Sequence, residues 1–163
     1  MNIHPTAVIS ELATLGFRVA VGPYSIIEPD TTIGDRCDLH GHVTIKRFST
    51  LGPHNRIYEG AVIGGEPQDL SFTGDDSALT IGARNRIREA VTINRGAGRG
   101  SETSIGSDCF IMTGAHVAHD CRLATESSSQ ITSRWPAMSK SRTAPSCQEE
   151  SWSTSSAVSA FLR

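Results

Sequence analysis

The chain has 163 residues and a formal net charge of −2, which suits one domain and gives no overall attraction to nucleic acid or to an anionic membrane. No stretch reaches the ~18 apolar residues of a membrane span, and MNIHPTAVIS lacks the basic and apolar regions of a secretory signal. We therefore expect a cytoplasmic protein whose four cysteines, which form no CxxC pair, are reduced thiols.

A period of six residues begins at residue 3. An α-helix is a poor match because six differs from 3.6 and because glycine and β-branched residues are frequent. The period is the hexapeptide pattern of a parallel β-helix, in which the aliphatic residue fills the interior and a small residue four places later fits beside it. Glycine often follows the aliphatic residue, where we expect it to relieve crowding at the bends. The aliphatic positions are Ile3, Ile9, Leu15, Val21, Ile27, Ile33, Leu39, Ile45, Leu51, Ile57, Ile63, Ile81, Ile87, Ile93, Ile105, Ile111, Val117 and Leu123.

The pattern predicts one all-β domain over residues 1–124, built as roughly six coils of short parallel strands. Two segments break the period, near 67–80 (PQDLSFTGDDSALT) and 96–104 (GAGRGSETS). Both are rich in glycine and polar residues, so we predict that they are loops leaving the solenoid. Loops on a rigid scaffold are where binding and catalytic residues concentrate.

Five segments within residues 1–123 together resemble a family of hexapeptide-repeat acyltransferases. They are IHPTA (3–7), EPQDL (66–70), IGARNRIREAVTINRG (81–96), IGSD (105–108) and AHVAHDC (115–121). The resemblance implies a left-handed parallel β-helix with three hexads per coil and a homotrimer without cofactor or metal. It also implies transfer of a 3-hydroxyacyl group from acyl carrier protein to the 3-hydroxyl of UDP-N-acetylglucosamine, the first step of lipid A biosynthesis.

The same resemblance implies roles for individual residues. His119 matches the family's general base, and imidazole can take and return a proton near neutral pH. His116 matches a substrate-contacting histidine, while Gln68 and Asp69 match loop residues that approach the nucleotide sugar. Asp120 is placed to orient the ring of His119. Without the resemblance, the two histidines would be ordinary surface or turn residues and Asp69 a turn residue of its loop.

Arg84, Arg86 and Arg88 form a basic cluster in the sequence. They are candidates for docking an acidic carrier protein, since clustered positive charge steers an acidic partner; the alternative is a solvated face of the solenoid. The chain departs from the family at two positions, with Ser71 where lysine is common and Asn94 where some members have histidine.

The character of the chain changes after Leu123. No position that continues the phase is aliphatic, and all 15 glycines lie at or before Gly114. We predict that residues 125–163 form an aberrant, disordered tail outside the solenoid. The positions that continue the phase are Ser129, Trp135, Ser141, Cys147, Ser153 and Ser159.

A shift of reading frame accounts for this change. If each original codon joins the third base of one present codon to the first two of the next, serine codons beginning with TC yield Phe, Leu, Ile or Val. Tryptophan and cysteine codons yield Leu, Met or Val in the same way. The shifted frame also permits the family segments LAGH, from residues 134–139, and HQF, from residues 148–156.

Two alternatives to an active acyltransferase remain. The chain is an inactive frameshift product, or it is a zinc protein like the γ-carbonic anhydrases, which share this solenoid and bind zinc through three histidines. The AHVAH spacing differs from that of the latter class, and no third histidine is obvious.

Overall fold

A computed structural model describes residues 1–74 and 76–125, which form a solenoid of short strands. No helix among these residues is long and apolar enough to cross a membrane. The strands are β1 (Asn2–Ile3), β2 (Val8–Ile9), β3 (Thr14–Leu15), β4 (Ala20–Val21), β5 (Ile26–Ile27), β6 (Thr32–Ile33), β7 (Asp38–Leu39), β8 (Thr44–Ile45), β9 (Ser49–Leu51), β10 (Arg56–Ile57), β11 (Val62–Gly65), β12 (Ala78–Ile81), β13 (Arg86–Ile87), β14 (Thr92–Asn94), β15 (Glu102–Ile105), β16 (Phe110–Ile111), β17 (His116–Val117) and β18 (Arg122–Leu123).

Each strand from β1 to β15 pairs in parallel with the strand three places further along the chain. The result is three sheets of six strands, which wrap into six coils. The aliphatic residues of the six-residue period pair with one another across the coils, for example Ile33 with Leu51 and Ile57 with Ile87. The predicted left-handed parallel β-helix is therefore confirmed.

The aliphatic side chains point inward as predicted. Ile33, Ile57 and Ile87 are at most 1% exposed, and burying each such side chain contributes about 1.5–3 kcal/mol. Ile3 is the contrast at 39% exposed, because its coil has no described coil on its outer side. Each coil thus depends on its neighbours for burial.

The sequence predicts that glycine relieves backbone crowding at the bends, but other residues form most of the bends. At most corners the residue three places after the inward aliphatic has a positive φ, and most of these residues are not glycine; Arg84 and Asp120 both have φ 58°. The glycines directly after the aliphatic residue meet a different demand. A Cβ at Gly52 would lie 2.8 Å from the carbonyl carbon of Gly82 in the next coil, which is too close for any side chain.

Both predicted loops are shorter than the sequence suggested. Strand β12 begins at Ala78 and β15 at Glu102, so the excursions lie between β11 and β12 and between β14 and β15. Leu79 is fully buried and pairs with Ser49, and this inward side chain extends the strand into the segment predicted as loop. We predict that residues 125–163 form a disordered tail. Of these, only Thr125 is among the described residues, so this prediction lies outside the described part of the chain.

Candidate active site

His119 and Asp120 form the corner after strand β17. Nδ1 of His119 lies 2.9 Å from Oδ2 of Asp120, and the two side chains are 30% and 28% exposed. A carboxylate can only accept a hydrogen bond, so Nδ1 carries the proton in this contact. The other ring nitrogen, Nε2, then keeps a free lone pair on a side chain that a ligand can reach.

The second loop and strand β15 hold Asp120 in place. The backbone N–H of Asp120 donates to Oγ1 of Thr103 at 2.9 Å, and the N–H of Ala97 donates to Oδ1 of Asp120 at 3.4 Å. One oxygen of the carboxylate thus faces the loop and the other faces His119. This arrangement fixes the tautomer and the orientation of the ring.

His116 points outward from β17 and pairs in register with Thr92 of β14. Its Nδ1 lies 2.7 Å from the hydroxyl oxygen of Thr92. Burial lowers the pKa of His116 below its usual value, and the nearby charge of His119 lowers it further. His116 is therefore a neutral group beside His119 at neutral pH.

The first loop presents Gln68 and Asp69, both exposed. Oδ1 of Asp69 accepts hydrogen bonds from the backbone N–H and the hydroxyl of Ser71, at 2.8 and 2.7 Å. These two bonds lower the pKa of Asp69, and the charge of His119 contributes in the same direction. Asp69 is therefore within electrostatic range of His119. Ser71, which is one of the two departures from the family pattern, shapes the turn.

The three arginines of the basic cluster do not present three free charges to solvent. Arg84 makes a two-pronged ion pair with Asp108, at 2.7 and 2.6 Å. Arg88 makes one with Glu89, at 3.0 and 2.8 Å. Arg86 lies exposed on strand β13 between them.

Within residues 1–74 and 76–125, no group of three His, Cys, Asp or Glu side chains is arranged to hold a metal ion. Cys37, Cys109 and Cys121 are buried and are not joined by disulfides.

Sequence reasoning found both histidines but missed Thr92 and Thr103. Thr92 precedes His116 by one coil, in the same phase of the period, and this is the signal that would have found it. Thr103 lies within the segment predicted as loop, where the period gives no guidance.

Comparisons with known proteins agree with this architecture. Residues 13–47 match the family model described as bacterial transferase hexapeptide (six repeats). The acyl-[acyl-carrier-protein]–UDP-N-acetylglucosamine O-acyltransferase of Azorhizobium caulinodans is 44% identical over 121 residues, which cover 73% of this chain and 44% of the relative. The enzyme of the same name from Rickettsia canadensis is 44% identical over 122 residues, which cover 74% and 46%.

Solved structures give the same result. The crystal structure of UDP-N-acetylglucosamine O-acyltransferase from Moraxella catarrhalis superposes with a TM-score of 0.73 at 42% identity, covering 76% of this chain and 49% of that one. The protein of this kind from Acinetobacter baumannii gives 0.72 at 39% identity, covering 76% and 48%. The chain spans less than half the length of the curated relatives it matches. By its repeats, its coils and these relatives, the chain belongs to the hexapeptide-repeat acyltransferase family.

Proposed function

We propose that the site at His119 serves transfer of a 3-hydroxyacyl group from acyl carrier protein to the 3-hydroxyl of UDP-N-acetylglucosamine, in the first step of lipid A biosynthesis. The names of the relatives motivate the substrates. The observation that carries the chemistry is the hydrogen bond from Nδ1 of His119 to Asp120, which leaves Nε2 free to act as a base.

In the proposed reaction, Nε2 of His119 takes the proton of the sugar 3-hydroxyl as its oxygen attacks the thioester carbonyl carbon. The new C–O bond forms first, the C–S bond of the resulting tetrahedral intermediate then breaks, and the imidazolium returns its proton to the departing sulfur. Asp120 stabilises the imidazolium during this cycle, as a carboxylate does when it is fixed against a histidine base.

The neighbouring side chains have supporting roles in the proposal. His116, neutral and hydrogen-bonded to Thr92, offers a polar nitrogen to the substrate beside the base. Gln68 and Asp69 approach the nucleotide sugar from the first loop. Asp69 is ionised at neutral pH, and the turn made by Ser71 lowers its pKa further, so its carboxylate can accept hydrogen bonds from sugar hydroxyls.

Transfer of a labelled acyl group from carrier protein to UDP-N-acetylglucosamine tests the proposal. We expect little turnover by the chain as it stands, because the family segments LAGH and HQF are replaced in it, and turnover once the reading frame after Leu123 is restored. In the restored protein, His119→Ala lowers the rate by about 10²–10⁴-fold, the usual contribution of a general base.

His54→Ala is the matched control, because His54 is an exposed histidine at another corner of the solenoid, with φ 62°. It should leave the rate unchanged. A restored protein that turns over equally well with and without His119 would show that the base has been assigned to the wrong residue.

We also propose that the protein acts as a homotrimer and that acyl carrier protein docks near Arg86. In the sheet formed by β2, β5, β8, β11, β14 and β17, the outward column of side chains that ends at His116 begins with Val8 and Ile26. These two residues are 63% and 43% exposed, so an apolar surface is available for another subunit. Sedimentation velocity tests the trimer.

Arg86→Glu tests docking of the carrier protein, since this change should raise the KM for the carrier protein. The cytoplasmic location stays a prediction.

A further inference from the structure

Arg95 stands out among the charged residues because its side chain is only 4% exposed. Its guanidinium carbon lies 5.7 Å from the ring centre of Phe48 and 5.5 Å from that of Phe72, and its Nη2 lies 3.6 Å from Oε1 of Glu66. Arginine is almost never this deeply buried unless it is paired. Here the partners are two aromatic faces and one carboxylate.

These partners come from different parts of the molecule. Phe48 sits at a corner of the solenoid, whereas Glu66 and Phe72 belong to the first loop and lie on either side of Gln68 and Asp69. One guanidinium therefore contacts both flanks of the segment that presents the two predicted substrate-binding residues. The contact reaches Asp69 through the backbone, because the N–H of Phe72 donates to the carbonyl oxygen of Asp69 at 3.0 Å.

The backbone around Arg95 also holds the roots of this loop. Its N–H donates to the carbonyl oxygen of Gly65 at 2.9 Å, where β11 ends, and the N–H of Gly96 donates to that of Ala78 at 3.2 Å, where β12 begins. The first loop thus leaves and re-enters the solenoid beside Arg95, the residue that the ring of Phe72 covers.

The burial of Arg95 is not optimal for folding alone. Its Nε has no hydrogen-bond partner within the described structure, and burying such a group costs free energy. An apolar side chain of similar length would avoid that cost, since replacing a buried charge by a hydrophobic residue is often neutral or stabilising. Core packing alone therefore does not explain why Arg95 is buried between the rings of Phe48 and Phe72.

We propose that Arg95 is a positioning residue that clamps the first loop through Phe72 and Glu66, so that Asp69 and Gln68 are held ready for the nucleotide sugar near His119. This inference rests on the proposed function for the identity of the ligand. The clamp itself rests only on the contacts of Arg95.

Amide hydrogen exchange on the full chain, without ligand, tests the clamp. The variants are Phe72→Leu and Arg95→Met, with Phe72→Tyr as the conservative replacement and Leu70→Ala, in a fully exposed residue of the same loop, as the matched control. The amides of Ser71 and Phe72 should exchange roughly 3- to 10-fold faster in the first two variants, as loss of a cation–π contact implies. Phe72→Tyr and Leu70→Ala should behave as the unchanged chain.

Calorimetric titration with UDP-N-acetylglucosamine on the same proteins tests the positioning. The Kd should rise by a similar factor in Phe72→Leu and Arg95→Met and stay unchanged in Phe72→Tyr, a pattern that general destabilisation would not produce. Combining Phe72→Leu with Arg95→Met should weaken binding no further than Arg95→Met alone, because Arg95→Met already removes the contact with Phe72.

The outcomes separate the clamp from the proposed function. Unchanged exchange in Phe72→Leu would overturn the clamp, and this variant decides the matter even if Arg95→Met fails to fold. Faster exchange with an unchanged Kd would overturn the positioning role. Absence of binding by both the unchanged chain and the protein with the reading frame restored would overturn the proposed substrate, and with it this role of Arg95, while the exchange result would still decide whether the clamp exists.

Discussion

His116 lies three residues before His119, and its partly buried surroundings favour the neutral form of its imidazole. Burial and the charge of His119 lower the pKa of His116 below 6.5. Between that lowered value and 6.5 the unfolded chain binds more protons than the folded one, so the free energy of unfolding should fall as the pH drops through 6.5. NMR titration of the imidazole protons should show His116 titrating below 6.5, and His119→Ala should move it upward; a value at or above 6.5 in the unchanged chain would contradict this.

How far single residues could be predicted depends on where their partners lie. The pair His116 and His119 was found from one short motif, because both residues stand within it. Arg95 was not singled out, because its role depends on Phe48 and Phe72, which are far from it in sequence. A linear pattern does not show that a corner and a loop meet on the two faces of one guanidinium.

At the scale of the coil, the glycines after the inward aliphatic residues set how closely successive coils stack. A Cβ at Gly52 would lie 2.8 Å from backbone atoms of Gly82, whereas one at Gly98 would meet nothing within 4 Å. Gly52→Ala should therefore destabilise the solenoid by about 1–3 kcal/mol or more, as overpacking does, and Gly98→Ala should be nearly neutral. Urea unfolding measures both; equal effects would show that coil spacing does not select glycine.

The period predicted the strands of each coil well, because an aliphatic residue every six places fixes which side chains point inward. It did not reveal the amides inside the corners. Asn85 is fully buried; its Oδ1 accepts from the N–H of Cys109 at 2.8 Å, and its Nδ2 donates to the carbonyl of Gly106 at 3.0 Å. A buried asparagine is stable only because the next coil supplies these backbone groups, and a sequence pattern contains no information about that geometry.

For the whole molecule, stacking makes each coil depend on its neighbours. Ile3 at the first coil remains 39% exposed, while Ile63 in the middle is fully buried. In such a one-dimensional structure, stability is close to a sum of coil and interface terms. Each further coil of the same pattern should therefore raise the free energy of unfolding. This expectation applies to any coils that the chain after Leu123 encodes once its reading frame is restored.

The last prediction concerns the reading frame after Leu123. The six positions that continue the phase carry serine, tryptophan or cysteine, and the shifted frame makes all of them apolar if the serine codons begin with TC. Each apolar side chain that becomes fully buried would add about 1.5–3 kcal/mol to the free energy of unfolding. Serine hydroxyls facing the interior would have no assured hydrogen-bond partner.

We therefore expect the nucleotide sequence to show an inserted or deleted base near codons 123–127. The protein with the frame restored should unfold at a higher urea concentration and a higher temperature than the present chain, with a larger m-value because more surface is buried. It should also gain the transfer activity that His119→Ala removes. Circular dichroism melting and the acyl-transfer assay measure the two gains. If the restored protein unfolds at the same urea concentration as the present chain, the shifted frame does not encode further coils, and the frameshift hypothesis is wrong.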